Sequence, residues 1–188
     1  MIMTRTFIMY SHGTTDDFNI DHLYESGRID VICRCVLGAL WVSEAMRKDT
    51  QIIVILNSGK RPPVSIKFDG NKMIGIEPSE RSIALVIKKS LNTVKDKEWT
   101  NVQTGISVSR KSFQDLIKEA KNIFILSVKG SQTTSLKVEN PTFVLGDNKG
   151  IPKNEESFAL RKGERISLGS RTYLASSIVS TVHWLLDQ

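Results

Sequence analysis

Cysteine is nearly absent from this sequence. The two that occur, Cys33 and Cys35, stand one residue apart, with no other cysteine in the chain. On a helix their side chains sit about 200° apart. A disulfide framework is therefore excluded, and a two-cysteine zinc site lacks its remaining ligands. A reducing compartment is the expectation. Long apolar runs are missing as well. IIVIL at 52–56 is strand-sized, far short of the roughly 18 residues of a membrane span, and MIMTRTFIMYSH opens with too short an apolar block for a secretory signal. Histidine is scarce, and His12, His22 and His183 have no HExxH company. No GxGxxG, no GxxxxGK followed by Ser or Thr, and no GxSxG occurs, so dinucleotide fingerprints, P-loops and Ser-His-Asp elbows lack support. A soluble cytoplasmic protein with no membrane and no metal partner is expected.

What is present is ordinary globular material: 188 residues, 40% apolar and 24% charged, which argues against disorder. The length suits one domain spanning 1–188. Lys and Arg (26) exceed Asp and Glu (20), for a net charge of +6, an excess that favours an anionic partner. The basic segments Lys60-Arg61, Lys88-Lys89, Lys95 to Lys97 and Arg110-Lys111 are spread along the chain. Each reads alone as a solvated face and together as a nucleic-acid surface, though no recognition motif accompanies them.

Strand and helix alternate, which argues for α/β with a largely parallel sheet. TRTFIMYSH reads as a strand, followed by a polar loop. Ile29, Ile32, Val36 and Leu40 recur at helical spacing, predicting a helix over 28–47 that starts at Ser26-Gly27. QIIVILN, VSIKF and KMIGI read as strands, then 79–91 as a helix with Ser79 at its start and Lys88-Lys89 in its last turn. Residues 92–105 read as a loop, ISVS as a strand and KSFQDLIKEA as a helix. IFILSV, TFVLG and ISLG are short apolar strands, two of them ending in Gly. A last helix over 172–186 carries the stripe Leu174, Ile178, Val182 and Leu185-Leu186.

Three constellations carry chemistry. In GRIDVICR, Asp30 and Arg34 are i and i+4 and share a helix face, with Arg28 at the helix start. This is either a surface ion pair or, embedded in an apolar run where unpaired charge is costly, two cations and a carboxylate facing a cleft, able to hold a phosphate while the acid handles a proton. In FVLGDNKGI, a strand runs into Gly146-Asp147. This is either an ordinary turn or a tight loop at the carboxyl edge of a parallel sheet, where ligands bind and a glycine admits close backbone approach. In RISLGSRTYLAS, a strand again ends in Gly, and Ser170 is placed to cap the next helix.

GRIDVICR, VSRKSF, FVLGDNKG and ISLGSRTYLAS, in this order and over essentially the whole chain, resemble the archaeal tRNA pseudouridine-54 N1-methyltransferase family of the SPOUT superfamily. The resemblance implies an α/β fold, a SPOUT-type parallel sheet with a C-terminal trefoil knot, an exception to the un-knotted rule. It also implies a homodimer that uses S-adenosylmethionine to methylate N1 of pseudouridine in the tRNA T loop. By the same resemblance the cofactor lies among Leu126, Gly146, Asp147, Leu168, Gly169, Ser170, Arg171, Thr172, Tyr173, Leu174 and Ile178, while Arg28, Asp30 and Arg34 face the target nucleotide and Asp30 is catalytic. Ile178 stands where relatives often carry a cysteine, and Asn148 where histidine is common, so the chemistry is expected to run without a thiol. Alternatives are another SPOUT activity (ribose 2′-O or ribosomal pseudouridine methylation) and a non-catalytic RNA-binding relative.

Overall fold

The computed structural model describes residues 3–188; Met1 and Ile2, which open the segment read for a signal, lie outside the described residues. An eight-stranded sheet organises the chain. Its centre is made of β1 (Arg5–Thr14), β4 (Thr50–Ser58), β8 (Ile123–Gln132), β9 (Thr142–Gly146) and β10 (Gly163–Ser167), all parallel in the order β10-β8-β9-β1-β4. The sheet then continues antiparallel through β5 (Val64–Asp69), β7 (Ile106–Ser109) and β6 (Thr100–Gln103). The largely parallel sheet expected from the sequence is thus present as its five-stranded half.

Both faces of the parallel half are covered, which is why its strands read as near-continuous apolar runs. Phe7, Met9, Val54, Leu56, Phe143 and Leu145 face one core, into which α1 (Ile29–Leu40), α2 (Glu80–Thr93) and α5 (Ala175–Leu186) pack. Ile8, Ile53, Ile55 and Val144 face the other, closed by α3 (Phe113–Glu119) and α4 (Lys153–Ala159). Period-two alternation assigns these sides. Cys33 and Cys35 are both fully buried in the first core. Burial pushes the Cys35 thiol up to about 12 and raises that of Cys33 as well, so neither is a nucleophile near neutral pH.

Several boundaries differ from the sequence expectation. The helix predicted over 28–47 ends at Leu40, because the chain then folds into a hairpin of β2 (Trp41–Val42) and β3 (Ala45–Met46), closed by the Arg47 amide on the Leu40 carbonyl at 2.7 Å. Beyond Leu40, within the predicted span, only Trp41 and Met46 still touch the core, and they do so from the hairpin. Its start is not a Ser26 cap either. Ser26 Oγ donates back to the His22 carbonyl, and Arg28 enters the helix from a left-handed conformation (φ 59°, ψ 46°) with no side-chain cap. KMIGI is irregular, since β5 already has β4 and β7 on its two edges and leaves no ladder to join. The expected loop over 92–105 contains the edge strand β6. Helix α2 runs on to Thr93, which moves Lys88-Lys89 out of its last turn. Helix α4 was not expected: Ala159 is its one fully buried residue, so it carries little apolar signal, although Pro152 and the early Glu155 and Glu156 mark a helix start. Strand β10 begins earlier than ISLG and ends at Ser167. Helix α5 begins at Ala175, leaving Thr172 to Leu174 extended, and its buried face is Val179, Val182, His183 and Leu185, with Leu174 70% exposed.

One irregularity shapes the molecule's working end. Opposite the single step from Arg165 to Ile166 in β10, the β8 partner advances from Ile125 to Ser131. Residues 126–130 therefore leave the ladder, arch outward and return. Gly130 closes the arch against β10 so tightly that a Cβ there would sit 2.6 Å from the Ile166 backbone.

Candidate functional site

The arch opens at the carboxyl ends of β8, β9 and β1, the edge where open parallel sheets bind ligands. A cavity of about 800 Å³ lies there, within the range of small-molecule sites. Of the residues expected to hold a cofactor, Leu126, Gly146, Asp147, Thr172, Tyr173, Leu174 and Ile178 line it. Leu168, Gly169 and Arg171 line an adjoining depression of about 150 Å³ that shares Leu126, Thr172, Tyr173 and Ile178. Ser170 is exposed and lines neither, and α5 takes no side-chain cap from it or any other residue. Segments spread over residues 126–178 thus converge on one edge. Ile125, Leu145 and Ile151 add apolar wall that the motifs did not single out. Their signal was only adjacency to the motif residues.

Gly146 has a structural reason to be glycine beside the close ligand approach expected of it. A Cβ there would lie 2.6 Å from the Gly150 carbonyl carbon and 2.8 Å from the Ile151 nitrogen. The chain's own loop 147–151 folds back onto this position, so the missing side chain makes room for the loop. Asp147 is likewise committed. Its buried carboxylate accepts from the His12 amide at 2.6 Å, the His12 ring at 3.0 Å and the Lys149 amide at 2.9 Å, which ties the end of β9 to the end of β1. Four acceptor positions on a carboxylate leave about one free.

The second part of the site is the start of α1. Gly27 (φ 72°) lies against the end of β1, where a Cβ would meet the His12 carbonyl oxygen at 2.4 Å, and this contact delivers Arg28 and Asp30 to the sheet edge. Arg28 grips Asp30 bidentately, Nε to Oδ1 and Nη2 to Oδ2 at 3.0 Å each, and stacks over the Tyr24 ring at 4.4 Å. Arg34 donates to the same Oδ2 and, through Nε, to Glu80 at 3.1 Å. Burial alone would raise the Asp30 pKa, but the hydrogen bonds and charges of Arg28 and Arg34 outweigh it and hold the carboxyl below its usual value. The sequence-predicted trio is therefore assembled, with a fourth member that sequence reasoning missed. Glu80 comes from α2 and balances the second guanidinium, so the cluster is neutral and is not the two-cation phosphate grip that GRIDVICR suggested. Arg28 and Arg34 also line the 800 Å³ cavity, so both halves form one site. Among the described residues no group of three metal-ligating side chains occurs.

A cavity at the carboxyl edge of a parallel α/β sheet, beside a buried, arginine-held carboxylate, defines a class: an α/β domain with a ligand-binding site at its sheet edge. The chain belongs to the family of SAM-dependent RNA methyltransferases, whose sequence profile matches residues 4–188. It is 35% identical to the tRNA (pseudouridine(54)-N(1))-methyltransferase of Methanocaldococcus jannaschii, over 98% of this chain and 97% of that protein. It is also 35% identical to the protein of the same name from Thermococcus kodakarensis, over 97% and 98%. The crystal structure of Archaeoglobus fulgidus Nep1 bound to S-adenosylhomocysteine shares the fold, with a TM-score of 0.68 over 100% of this chain and 98% of that one, at 11% identity.

Proposed function

We propose that this chain methylates N1 of pseudouridine at position 54 in the T loop of tRNA, with S-adenosylmethionine as donor. The observation that carries the proposal is the carboxylate of Asp30 held by Arg28 and Arg34, two arginines that line a cofactor-sized cavity, in a chain whose full-length relatives bear that activity in their names. The cavity suits the donor chemically. Apolar walls from Leu126, Leu145 and Ile178 match an adenosine face, and the uncapped first turn of α5, whose residues 175–177 line the cavity, offers free amides to a carboxylate. We assign donor binding to Leu126, Gly146, Asp147, Leu168, Gly169, Ser170, Arg171, Thr172, Tyr173, Leu174 and Ile178, with Gly146 acting through the loop shape it permits.

The donor supplies an activated methyl group on a sulfonium sulfur. The residues' task is to present the acceptor. Pseudouridine is joined through carbon, so N1 keeps a hydrogen and is a weak nucleophile. Asp30, fixed by Arg28 and Arg34, accepts the N1–H hydrogen bond and sets the direction of attack. A carboxylate held below its ordinary pKa is too weak a base to remove this proton beforehand. It suffices as the N1–C bond forms, when the N–H becomes acidic, and the proton then passes to Asp30. Orientation supplies most of the acceleration, and no thiol takes part.

The same reading includes a trefoil knot, supported by the arch over 126–130 closing on β10. It includes a homodimer, supported by the exposure of Tyr173 and Leu174 just before α5 and of Trp184 on it. It also takes 1–188 as one domain, supported by the single continuous sheet, and a cytoplasmic location, supported by the tRNA substrate. The test is methylation of a T-arm RNA carrying pseudouridine at position 54 beside a uridine version. Transfer to the first alone is expected. Equal methylation of both would exclude N1 of pseudouridine as acceptor, and donor binding without any transfer would favour the non-catalytic relative.

A further inference from the structure

The basic segments Lys60-Arg61 and Arg110 are 49 residues apart in sequence, yet the fold brings them together. Strand β7 runs antiparallel to β5, which runs antiparallel to β4, so the ends of β4 and β7 lie on the same edge as the candidate site. There the Arg110 guanidinium donates to the Arg61 carbonyl at 2.6 Å. The loop carrying Lys60 and Arg61 is pinned to the end of β1 by the Lys60 amide on Asp16 (3.0 Å) and the Arg61 amide on Thr15 Oγ1 (3.2 Å). Lys60, Arg61 and Arg110 line one cleft of about 410 Å³. Among the described residues none of the three has a carboxylate within 4 Å of its charged group. Of the two acids on the cleft, Asp16 is engaged by the Lys60 amide and Asp17 is paired with Lys88 at 2.7 Å. The fold thus holds three cations outside any ion pair against one unpaired acid, Asp16, so the cleft keeps a net positive charge on a chain of net charge +6.

Their position relative to Asp30 is set by the sheet. The start of α1 abuts the end of β1, and β4 is the next strand, with β5 and then β7 beyond it. At about 4.8 Å per strand the cleft begins about 5 Å along the sheet from the end of β1 and extends to about 14 Å from it, a span that a few nucleotides of backbone cover. We propose that Lys60, Arg61 and Arg110 form a phosphate-binding platform that holds the RNA strand flanking the nucleotide presented to Asp30. The inference rests on the RNA-methyltransferase reading and assigns the part of the surface that reads backbone charge. Because the neutral Arg28–Asp30–Arg34–Glu80 cluster supplies no net charge for phosphate, that task falls to the cations farther along the edge. Phosphate contacts of this kind set affinity and register, not base identity.

The experiment compares wild type with Lys60→Ala/Arg61→Ala, with Arg110→Gln (which keeps a donor for the Arg61 carbonyl while losing the charge), and with Lys48→Ala/Lys72→Ala at the opposite edge. The probe is the pseudouridine T-arm RNA, read by fluorescence anisotropy across a salt series and by steady-state methylation. For Lys60→Ala/Arg61→Ala, RNA Kd and KM rise about tenfold and the slope of log K against log salt shrinks by about 1.4, two contacts at about 0.7 each. For Arg110→Gln the slope shrinks by about 0.7. In both, kcat and the KM for S-adenosylmethionine stay unchanged, and the opposite-edge variant behaves as wild type. Wild-type RNA affinity and salt slope in the first two variants, or an equal loss in the opposite-edge variant, overturn the platform. If wild type binds this RNA without methylating it, the activity assignment fails while anisotropy still decides the platform.

Discussion

Acidification isolates one buried side chain far from the site. His183 on α5 lies 3.0 Å through Nδ1 from Arg5 Nη1 and 2.9 Å through Nε2 from the Ala39 carbonyl. A guanidinium only donates, so Nδ1 is the acceptor and Nε2–H the donor, and the ring is neutral. Burial, joined by the positive charges of Arg47 and Arg5, pushes its pKa down to about 4, against the opposing pull of the Ala39 carbonyl and Asp187. In the unfolded chain it titrates near 6.5. Between these values the unfolded state binds a proton that the folded state refuses, so stability is full above about pH 6.5, falls as the pH drops toward 4 and flattens below. The linkage relation gives a loss of about 2 kcal/mol by pH 5 and about 3 kcal/mol by pH 4. Urea unfolding of wild type and His183→Gln at pH 7, 6 and 5 measures it. The carboxylates with lowered pKa, Asp30 and Asp187 among them, lose their contributions only below about pH 4, which leaves this window to histidine. Wild type should lose about 2 kcal/mol between pH 7 and 5 and the variant almost none of it. Parallel decline of the two proteins, or an NMR titration of His183 centred near 6.5, would refute the argument.

Two further outcomes follow from the site. Asp30→Asn should bind S-adenosylmethionine within about twofold of wild type yet lose about 100-fold or more in kcat, the usual scale for a proton acceptor; single-turnover methylation at the parental rate would leave the acid without a catalytic role. Gly146→Ala should lower stability by about 1–3 kcal/mol, because its Cβ would strike the backbone of Gly150 and Ile151. A thermal melt matching wild type, in the absence of any ligand, would mean that the loop and not the glycine can give way.

The strongly periodic elements were legible in the chain. Strands β1, β4 and β9 announced themselves as β-branched and aromatic runs, because a parallel strand buried on both faces leaves little room for polar residues. Of the two N-capped helices, α2 was read as starting at Ser79, while the cap of α3 was not singled out within KSFQDLIKEA. Ser79 accepts from the Ser82 amide, and Ser112 and Asp115 complete a reciprocal capping box. Where local signal and tertiary demand parted, the sequence misled. Apolar residues continue past Leu40, but there the chain turns into a hairpin; KMIGI alternates like a strand but follows β5, which is already paired on both sides; α4 has almost no apolar face and left only Pro152 and its acids as clues.

Local residue order determined which side chains enter this site: Asp30 and Arg34 share a face because a helix turns every 3.6 residues, and Gly146-Asp147 ends a strand because the next chain segment must turn. What the residues do there was decided by contacts between distant segments. Glu80 arrives from another helix and neutralises the arginines, Gly150 folds back and gives Gly146 its necessity, and the direction of β7 sets Arg110 beside Arg61. Propensity acts over a few neighbours along the chain, whereas charge balance, base strength and steric exclusion are properties of everything within a few ångströms, and only the folded chain defines that neighbourhood.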